Sequence, residues 1–179
     1  MTEDKNSTIP GGIILNITPA LQTCAQLIAA ARQKGKETRK PQNDMGSPEA
    51  NSQADYWGAL GELVFCDYLE RAGWQPNYVL VSKYPVRRPD IRLFDQEYDC
   101  KVCPPGKQYL CINQEQYQKH SGIFYLPLLL DTPTTLRVMA PVSHAQVSTW
   151  RLMANGHSPY LSTHVSTLLS LTNLKDLHK

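Results

Sequence analysis

The spacing of apolar residues changes near Gly73, and this change constrains the fold more than any other feature of the chain. Before Gly73, two segments repeat apolar residues at the helical period. After it, short β-rich runs are bounded by Pro, Gly or Asp. Because helices and strands do not alternate regularly, one sheet of mixed direction covered by helices is favoured over a doubly wound parallel sheet. We therefore expect an α/β fold with an α+β-like mixed sheet.

Four helices and five strands follow from this pattern. The first helix is predicted over 19–33, where a Thr-Pro pair gives an N-cap and a first helical residue, and the second over 53–72. A short polar helix over 113–120 crosses between two strands, and a final helix covers 145–153. The predicted strands are 78–84, 90–94, 98–103, 122–131 and 136–142.

Composition excludes several classes of protein. The chain has 179 residues, 41% of them hydrophobic and 19% charged, which is typical of one globular domain. The longest apolar run, 123–130, is broken by Pro127 and is too short to cross a bilayer, so no membrane partner is expected. No export signal is visible and the number of cysteines is odd, which favours the cytoplasm. A net charge of +2 leaves any contact with nucleic acid to local clusters of cations.

Two acidic residues and a lysine fall on one predicted hairpin. Asp90 opens the second strand, and Asp99 and Lys101 lie in the third. If the turn between the strands has two or four residues, these three side chains share one face, while Ile91 and Cys100 take the other. A turn of three residues would separate them. We expect them to converge.

Carboxylates gathered on one face call for a cation. Mg²⁺ takes one or two carboxylates together with waters and phosphate oxygens, which suits Asp90, Asp99 and the backbone carbonyl of Cys100. Such an ion activates water for phosphodiester hydrolysis, with Lys101 orienting or deprotonating that water or neutralising the phosphate. The alternative is an exposed hairpin whose charges form a solvated ion pair, with Glu62 on the surface of its helix.

The same residues resemble a known family. Pro89-Asp90, Asp99-x-Lys101 and a preceding Gly-x-x-x-Glu segment that ends at Glu62 are similar to the PD-(D/E)XK nuclease superfamily, also called restriction-endonuclease-like. The resemblance implies that Asp90, Asp99 and Glu62 bind the metal, that Lys101 is the catalytic lysine, and that Mn²⁺ can substitute for Mg²⁺. It also implies a core of order α-β-β-β-α-β.

The resemblance sets the expected organisation of the single domain, 1–179. A helical extension at 1–34 and a polar, basic loop at 35–55 precede a nuclease-like core at 53–131. A further strand and helix occupy 132–179. Five cations between Arg32 and Lys40 could close over a phosphate backbone or could belong to a solvated linker.

Substrate contacts are predicted at two places. Lys83, Arg87 and Arg88 immediately precede the first acidic residue and would place cations beside the metal to position phosphates. Gln114 and Tyr117 on the crossing helix look like the glutamine and tyrosine motif of the superfamily's exonuclease branch. Both sets are therefore candidate DNA contacts.

The predicted function is a Mg²⁺-dependent deoxyribonuclease, and we expect an endonuclease rather than an exonuclease. Its catalytic set is Glu62, Asp90, Asp99 and Lys101. Two alternatives on the same fold remain open: a nucleic-acid-binding module without chemistry, and an adaptor that binds proteins. A homodimer would supply the two sites needed to cut both strands of a duplex, and a partner protein is also open.

Overall fold

The computed structural model describes residues 12–36, 48–78, 89–154 and 159–178. The helices are α1 (Pro19–Lys36), α2 (Pro48–Arg71), α3 (Gln114–Lys119) and α4 (His144–Val147). The strands are β1 (Ile13–Asn16), β2 (Asn77–Tyr78), β3 (Ile91–Leu93), β4 (Gln96–Cys103), β5 (Tyr109–Asn113), β6 (Phe124–Thr132), β7 (Thr135–Val138), β8 (Val142–Ser143), β9 (Arg151–Met153) and β10 (Tyr160–His164). Two 3₁₀ turns, Val165–Thr167 and Leu174–His178, follow the last strand.

These strands form two sheets. The larger sheet has seven strands in the order β1-β7-β6-β4-β3-β2, with β8 also pairing with β6. Within it β4 and β6 are parallel, and the other pairs are antiparallel. The smaller sheet is antiparallel, in the order β5-β10-β9. Because a parallel pair needs a crossover, the chain leaves β4, runs through β5 and α3, and returns along β6.

The two faces of the seven-stranded sheet bury different sets of residues. Side chains alternate along β4 and β6, so Tyr98, Leu126 and Leu128 face α2 and join one apolar cluster. Tyr125 and Leu129 face the smaller sheet and join a second cluster. The catalytic candidates of β4 are placed by this alternation.

α2 lies unusually close to the sheet at Gly61. A Cβ atom on this residue would come within 2.5 Å of Cγ2 of Val102, so only glycine fits here. The close approach brings Glu62, the next residue, towards β4. None of the helices in the described ranges is long and apolar enough to cross a membrane.

The mixed α/β class is confirmed, and several predicted elements agree closely with the structure. α1 and α3 begin and end within three residues of the predicted helices. β4 contains the predicted strand and begins two residues earlier, at Gln96. The predicted strand 78–84 lies outside the described residues except for Tyr78. The candidate phosphate contacts Lys83, Arg87 and Arg88 also lie outside them.

The predicted loop over 35–55 is wrong in its last part, because α2 begins at Pro48. Proline is favoured in the first turn of a helix, where its missing N–H is not needed, and Glu49 adds a favourable negative charge there. The polar residues that follow suggested a loop. Packing of the two long helices against each other outweighs this local preference.

The C-terminal region differs most from the prediction. The helix expected over 145–153 covers only His144–Val147, and residues Arg151–Met153 form β9, because they pair with β10. The strand expected over 136–142 is interrupted before Val142, next to Pro141, which has no N–H for a sheet hydrogen bond. β1, β5 and β10 were not predicted. The single sheet expected from the sequence is therefore accompanied by a second one.

Candidate functional site

The candidate site lies where β3 and β4 separate. Their hairpin has a two-residue turn, Phe94-Asp95, and its last described pair is Ile91 with Tyr98. This turn length is one of the two that place Asp90 and Asp99 on the same face. Beyond that pair β3 has ended, and no other strand of the described residues pairs with this edge of β4, so side chains can fill the gap.

Asp90 occupies this gap. Its Oδ2 accepts a hydrogen bond from the backbone N–H of Cys100 at 2.8 Å. The Asp90 carboxyl also lies within hydrogen-bonding reach of Asp99. Burial, followed by the negative charges of Glu62 and Asp99, raises the pKa of Asp90 well above its ordinary value. Asp90 therefore resists losing its proton unless a positive charge is supplied.

Lys101 supplies part of that charge. Its Nζ lies 2.7 Å from Oδ1 of Asp99 and donates to Oε1 of Gln116 at 3.3 Å. Burial alone would lower the pKa of Lys101, but the charges of Asp99 and Asp90 outweigh it and raise the pKa. The side chain is therefore held as an ammonium ion, which suits a charge-neutralising role better than that of a general base.

Glu62 reaches the site from α2 and is paired with Arg32 of α1. It is 6% exposed, and its two carboxylate oxygens bind the guanidinium, with Nη1 to Oε1 at 3.3 Å and Nη2 to Oε2 at 2.5 Å. Burial raises the pKa of Glu62, and the charge of Arg32 opposes that rise. The side chain is thus already satisfied by the protein.

Charge and donor chemistry suit a hard cation at the gap. Among the described residues of the site, three carboxylates face two cationic side chains, so one negative charge of this set is unbalanced when all three are ionised. The N–H and C=O of one strand residue point to the same edge, so the Cys100 carbonyl faces the gap together with Asp90. Within the described ranges no three acidic, His or Cys side chains form a ready-made metal site, which fits the engagement of Glu62 by Arg32.

The crossing helix contributes a different residue from those predicted. Tyr117 stacks on His144, with ring centroids 3.9 Å apart and planes 6° apart, and packs against the second apolar cluster. Gln114 begins α3 and donates its backbone N–H to the carbonyl of Pro159. Gln116, one helical position from Tyr117, contacts Lys101 instead. The side chain of Cys100 is buried towards α2, so only its backbone faces the gap.

Sequence reasoning missed three residues of this site. Arg32 had been grouped with a basic linker, although its place on the apolar stripe of the first helix was a sign that it turns inwards. Gln116 had no distinguishing signal. Tyr125 is paired with Asp99 across the two parallel strands, and its fully buried hydroxyl has no hydrogen-bond partner among the described residues. Burial, and then the charge of Asp99, raises the pKa of Tyr125 to about 12.

Comparison with known proteins gives no match, whether with protein-family models, curated proteins or solved structures. The function of the chain is therefore inferred from the contacts, burial and charges of its own residues.

Proposed function

We propose that the chain is a divalent-metal-dependent nuclease that hydrolyses phosphodiester bonds of DNA. The observation that carries the proposal is the pair of carboxyl groups, Asp90 and Asp99, held together at the edge of β4 beside the ammonium of Lys101. The order α2-β2-β3-β4-α3-β6 within and around the larger sheet supports a restriction-endonuclease-like core, with β5 diverted to the second sheet.

The carboxyl pair gives the reason for a metal. Two carboxylates in hydrogen-bonding reach cannot both ionise without a strong penalty, and the raised pKa of Asp90 reflects this. A divalent cation that displaces the proton of Asp90 would relieve the repulsion and use oxygen donors that Mg²⁺ and Mn²⁺ prefer. Asp90, Asp99 and the Cys100 carbonyl would hold it.

Each side chain around the pair then has a distinct task. A bound divalent ion lowers the pKa of coordinated water and neutralises charge on phosphate oxygens. Lys101 offers a second positive charge to the phosphate, and Gln116 restricts where its ammonium can lie. Asp99 forms an ion pair with Lys101 and also lies next to Asp90. It would therefore contact both the ammonium of Lys101 and the bound metal ion.

Glu62 differs from the two aspartates because it is already paired with Arg32. Because both of its oxygens bind Arg32, it would have to share its carboxylate with the guanidinium, or leave it, to serve as a metal ligand. This pairing also favours the second candidate function, a nucleic-acid-binding module without chemistry, since a fully paired Glu62 needs no metal. Divalent ions distinguish the two candidates. A module binds DNA equally well in EDTA and in Mg²⁺ and does not cleave it.

The test is a cleavage assay on supercoiled plasmid and on end-labelled single- and double-stranded linear DNA, with Mg²⁺ or Mn²⁺. We expect Asp99→Asn to reduce the rate by about 100-fold or more, since even residues that merely support metal ligands are worth 10- to 100-fold. Asp95→Asn is the matched control, because Asp95 is an exposed carboxylate in the adjacent turn. It should cleave like the wild type.

Other results of the same assay decide between the alternatives. Nicked and linear plasmid products would identify an endonuclease, whereas shortened ends alone would identify an exonuclease. A wild-type protein that cleaves none of the substrates with either metal, or an Asp99→Asn variant with full activity, would contradict the proposed site. Calorimetric titration with Mn²⁺ gives a second readout, in which Asp99→Asn should weaken binding and Asp95→Asn should not.

A further inference from the structure

A cavity of about 810 Å³ lies over the smaller sheet, away from the acidic site. Side chains alternate along its strands, so Leu110, Ile112 and Leu161 face the apolar core and their neighbours face outwards. The outward residues on the floor of the cavity include Tyr109, Arg151, Tyr160 and His164. The floor is therefore a strand surface with aromatic and polar side chains.

Two further segments wall the cavity. Trp150 follows α4 on one side, and Leu168 and Leu169 follow the 3₁₀ turn on the other. Large apolar groups remain open to solvent, since Tyr109 is 57% exposed and Leu169 is 72% exposed. Exposed aromatic side chains on a sheet surface provide stacking platforms for planar ligands.

Arg151 gives the cavity its charge. Among the arginines in the described ranges, the other four each pair with a carboxylate, and Arg151 alone makes no ion pair. None of the described residues that line the cavity is acidic. An exposed guanidinium with no acidic competitor is well suited to bind a phosphate oxygen.

His164 adds a hydrogen-bond donor in a fixed orientation. Its ring meets Tyr109 edge-on, with centroids 5.2 Å apart and planes at 90°. The Nδ1 atom accepts the backbone N–H of Ser166 at 3.2 Å, so in the neutral ring the proton lies on Nε2. The floor thus offers aromatic faces, a cation and a donor side by side.

We propose that this cavity binds the nucleotides of single-stranded nucleic acid, with bases against Tyr109, Tyr160 and Trp150 and phosphates at Arg151. The choice of a nucleic acid rests in part on the proposed function, while the cavity shares no residue with the acidic site. Unpaired bases expose the faces that a duplex hides in its stack. β5 leads directly into α3, whose Gln116 contacts Lys101, so one continuous segment of the protein joins the floor of the cavity to the acidic site.

The test is fluorescence anisotropy of a short, end-labelled oligothymidylate at low salt in EDTA, where no metal-dependent cleavage can interfere. We expect Tyr109→Leu and Arg151→Gln each to weaken binding by about 10-fold, the range seen when one stacked base or one phosphate contact is lost. Arg71→Gln is the matched control, because it removes the same charge from an exposed arginine at the end of α2. It should bind like the wild type.

Three further outcomes decide the proposal. Tyr109→Leu and Arg151→Gln should bind Mn²⁺ like the wild type in the calorimetric titration, so that failure of the acidic site and failure of this cavity remain separate results. A duplex of the same length should bind more weakly than the single strand. The inference would be overturned if the wild type did not bind the oligonucleotide or preferred the duplex. It would also be overturned if Arg151→Gln and Tyr109→Leu bound as tightly as the wild type. Circular dichroism of every variant confirms that the fold is retained.

Discussion

The two faces of the seven-stranded sheet, which the same strands β4 and β6 supply, differ in how far the protein satisfies its own polar groups. On the face towards α2, the buried hydroxyl of Tyr98 donates to the carbonyl of Leu177, and apolar side chains complete the layer. On the face towards the smaller sheet, Asp99 and Lys101 lie near the Tyr125 hydroxyl, which has no partner among the described residues.

This difference separates a face whose polar groups are satisfied from the face that holds the proposed site. Nearly all buried polar groups in proteins have hydrogen-bond partners, so an orphaned hydroxyl beside a crowded pair of carboxyl groups is unusual. One residue along β4, from Asp99 to Cys100, is enough to pass from one environment to the other because side chains alternate. We therefore expect substitutions on the two faces to affect stability and ligand binding differently.

The largest effect on stability is expected for Lys101→Met. Lys101 and Asp99 are 15% and 13% exposed, and removing one member of a buried ion pair typically costs about 3 to 5 kcal/mol because the other charge stays buried. Urea unfolding measures the loss. Arg71→Gln breaks an exposed pair, 64% and 34% exposed, and should change stability by less than about 0.5 kcal/mol.

A double variant sharpens this prediction. Replacing Asp99 by Asn in the Lys101→Met background removes the uncompensated charge, so part of the lost stability should return. Equal stability of Lys101→Met and the wild type would mean that the pair is as weak as a surface one. The two faces would then not differ in the stability that their buried polar groups contribute at Asp99 and Lys101.

The next largest effect is expected on the α2 face. Gly61→Ala would place a Cβ atom 2.5 Å from Cγ2 of Val102, and overpacking of this kind typically costs about 1 to 3 kcal/mol. Gly58→Ala is the control on the same helix, because its nearest neighbours would be at ordinary contact distances of 3.6 and 3.8 Å. It should be neutral or stabilising by up to about 1 kcal/mol.

Rescue distinguishes overpacking from a general intolerance of alanine at this position. Val102→Ala removes the methyl group that Gly61→Ala would strike, so the double variant should be more stable than the sum of the two single effects predicts. Purely additive effects in urea unfolding would show that the helix is not held to the sheet by this contact.

Two buried tyrosines test the comparison with the same chemical change. Tyr98→Phe should reduce stability by about 1 kcal/mol, because it removes a buried hydrogen bond to the carbonyl of Leu177. Tyr125→Phe removes a hydroxyl with no such partner and should leave stability unchanged or raise it by up to about 1 kcal/mol. Thermal unfolding of the pair measures both. Equal losses would show that the hydroxyl of Tyr125 is satisfied in solution.

The sequence predicted the parts of the molecule that local periodicity decides. Side-chain alternation and a short turn were enough to group Asp90, Asp99 and Lys101 on one face of the hairpin, and the observed two-residue turn has the required parity. α1 and α3 followed from capping and helical spacing. Each of these decisions involves residues close together in the chain.

The parts that could not be predicted depend on long-range pairing. β5 alternates exposed and buried residues, but only its pairing with β10, Tyr109 with His164 among others, shows that the two strands form a second sheet. Arg32 and Glu62 are separated by 30 residues, and nothing local identifies them as partners. β9 was mistaken for a helix end because its pairing with β10 determines its structure.

The remaining test of the comparison is the pH dependence of stability that Asp90 contributes. Its pKa is higher in the folded protein than in the unfolded chain, so between these two values the folded state binds more protons. The free energy of unfolding should therefore fall as pH rises from about 4, the ordinary carboxyl value, through the raised pKa of Asp90. Asp90→Asn should reduce this slope without abolishing it, because the raised pKa of Glu62 acts in the same direction.

Urea unfolding across this pH range measures the slope. Asp131→Asn provides the comparison, because it alters an acidic residue that is paired with Arg137 elsewhere in the sheet. Mg²⁺ should stabilise the protein increasingly at higher pH, since a cation binds the deprotonated pair. An identical slope in the wild type and Asp90→Asn would show that the carboxyl pair ionises freely and has no need of a cation.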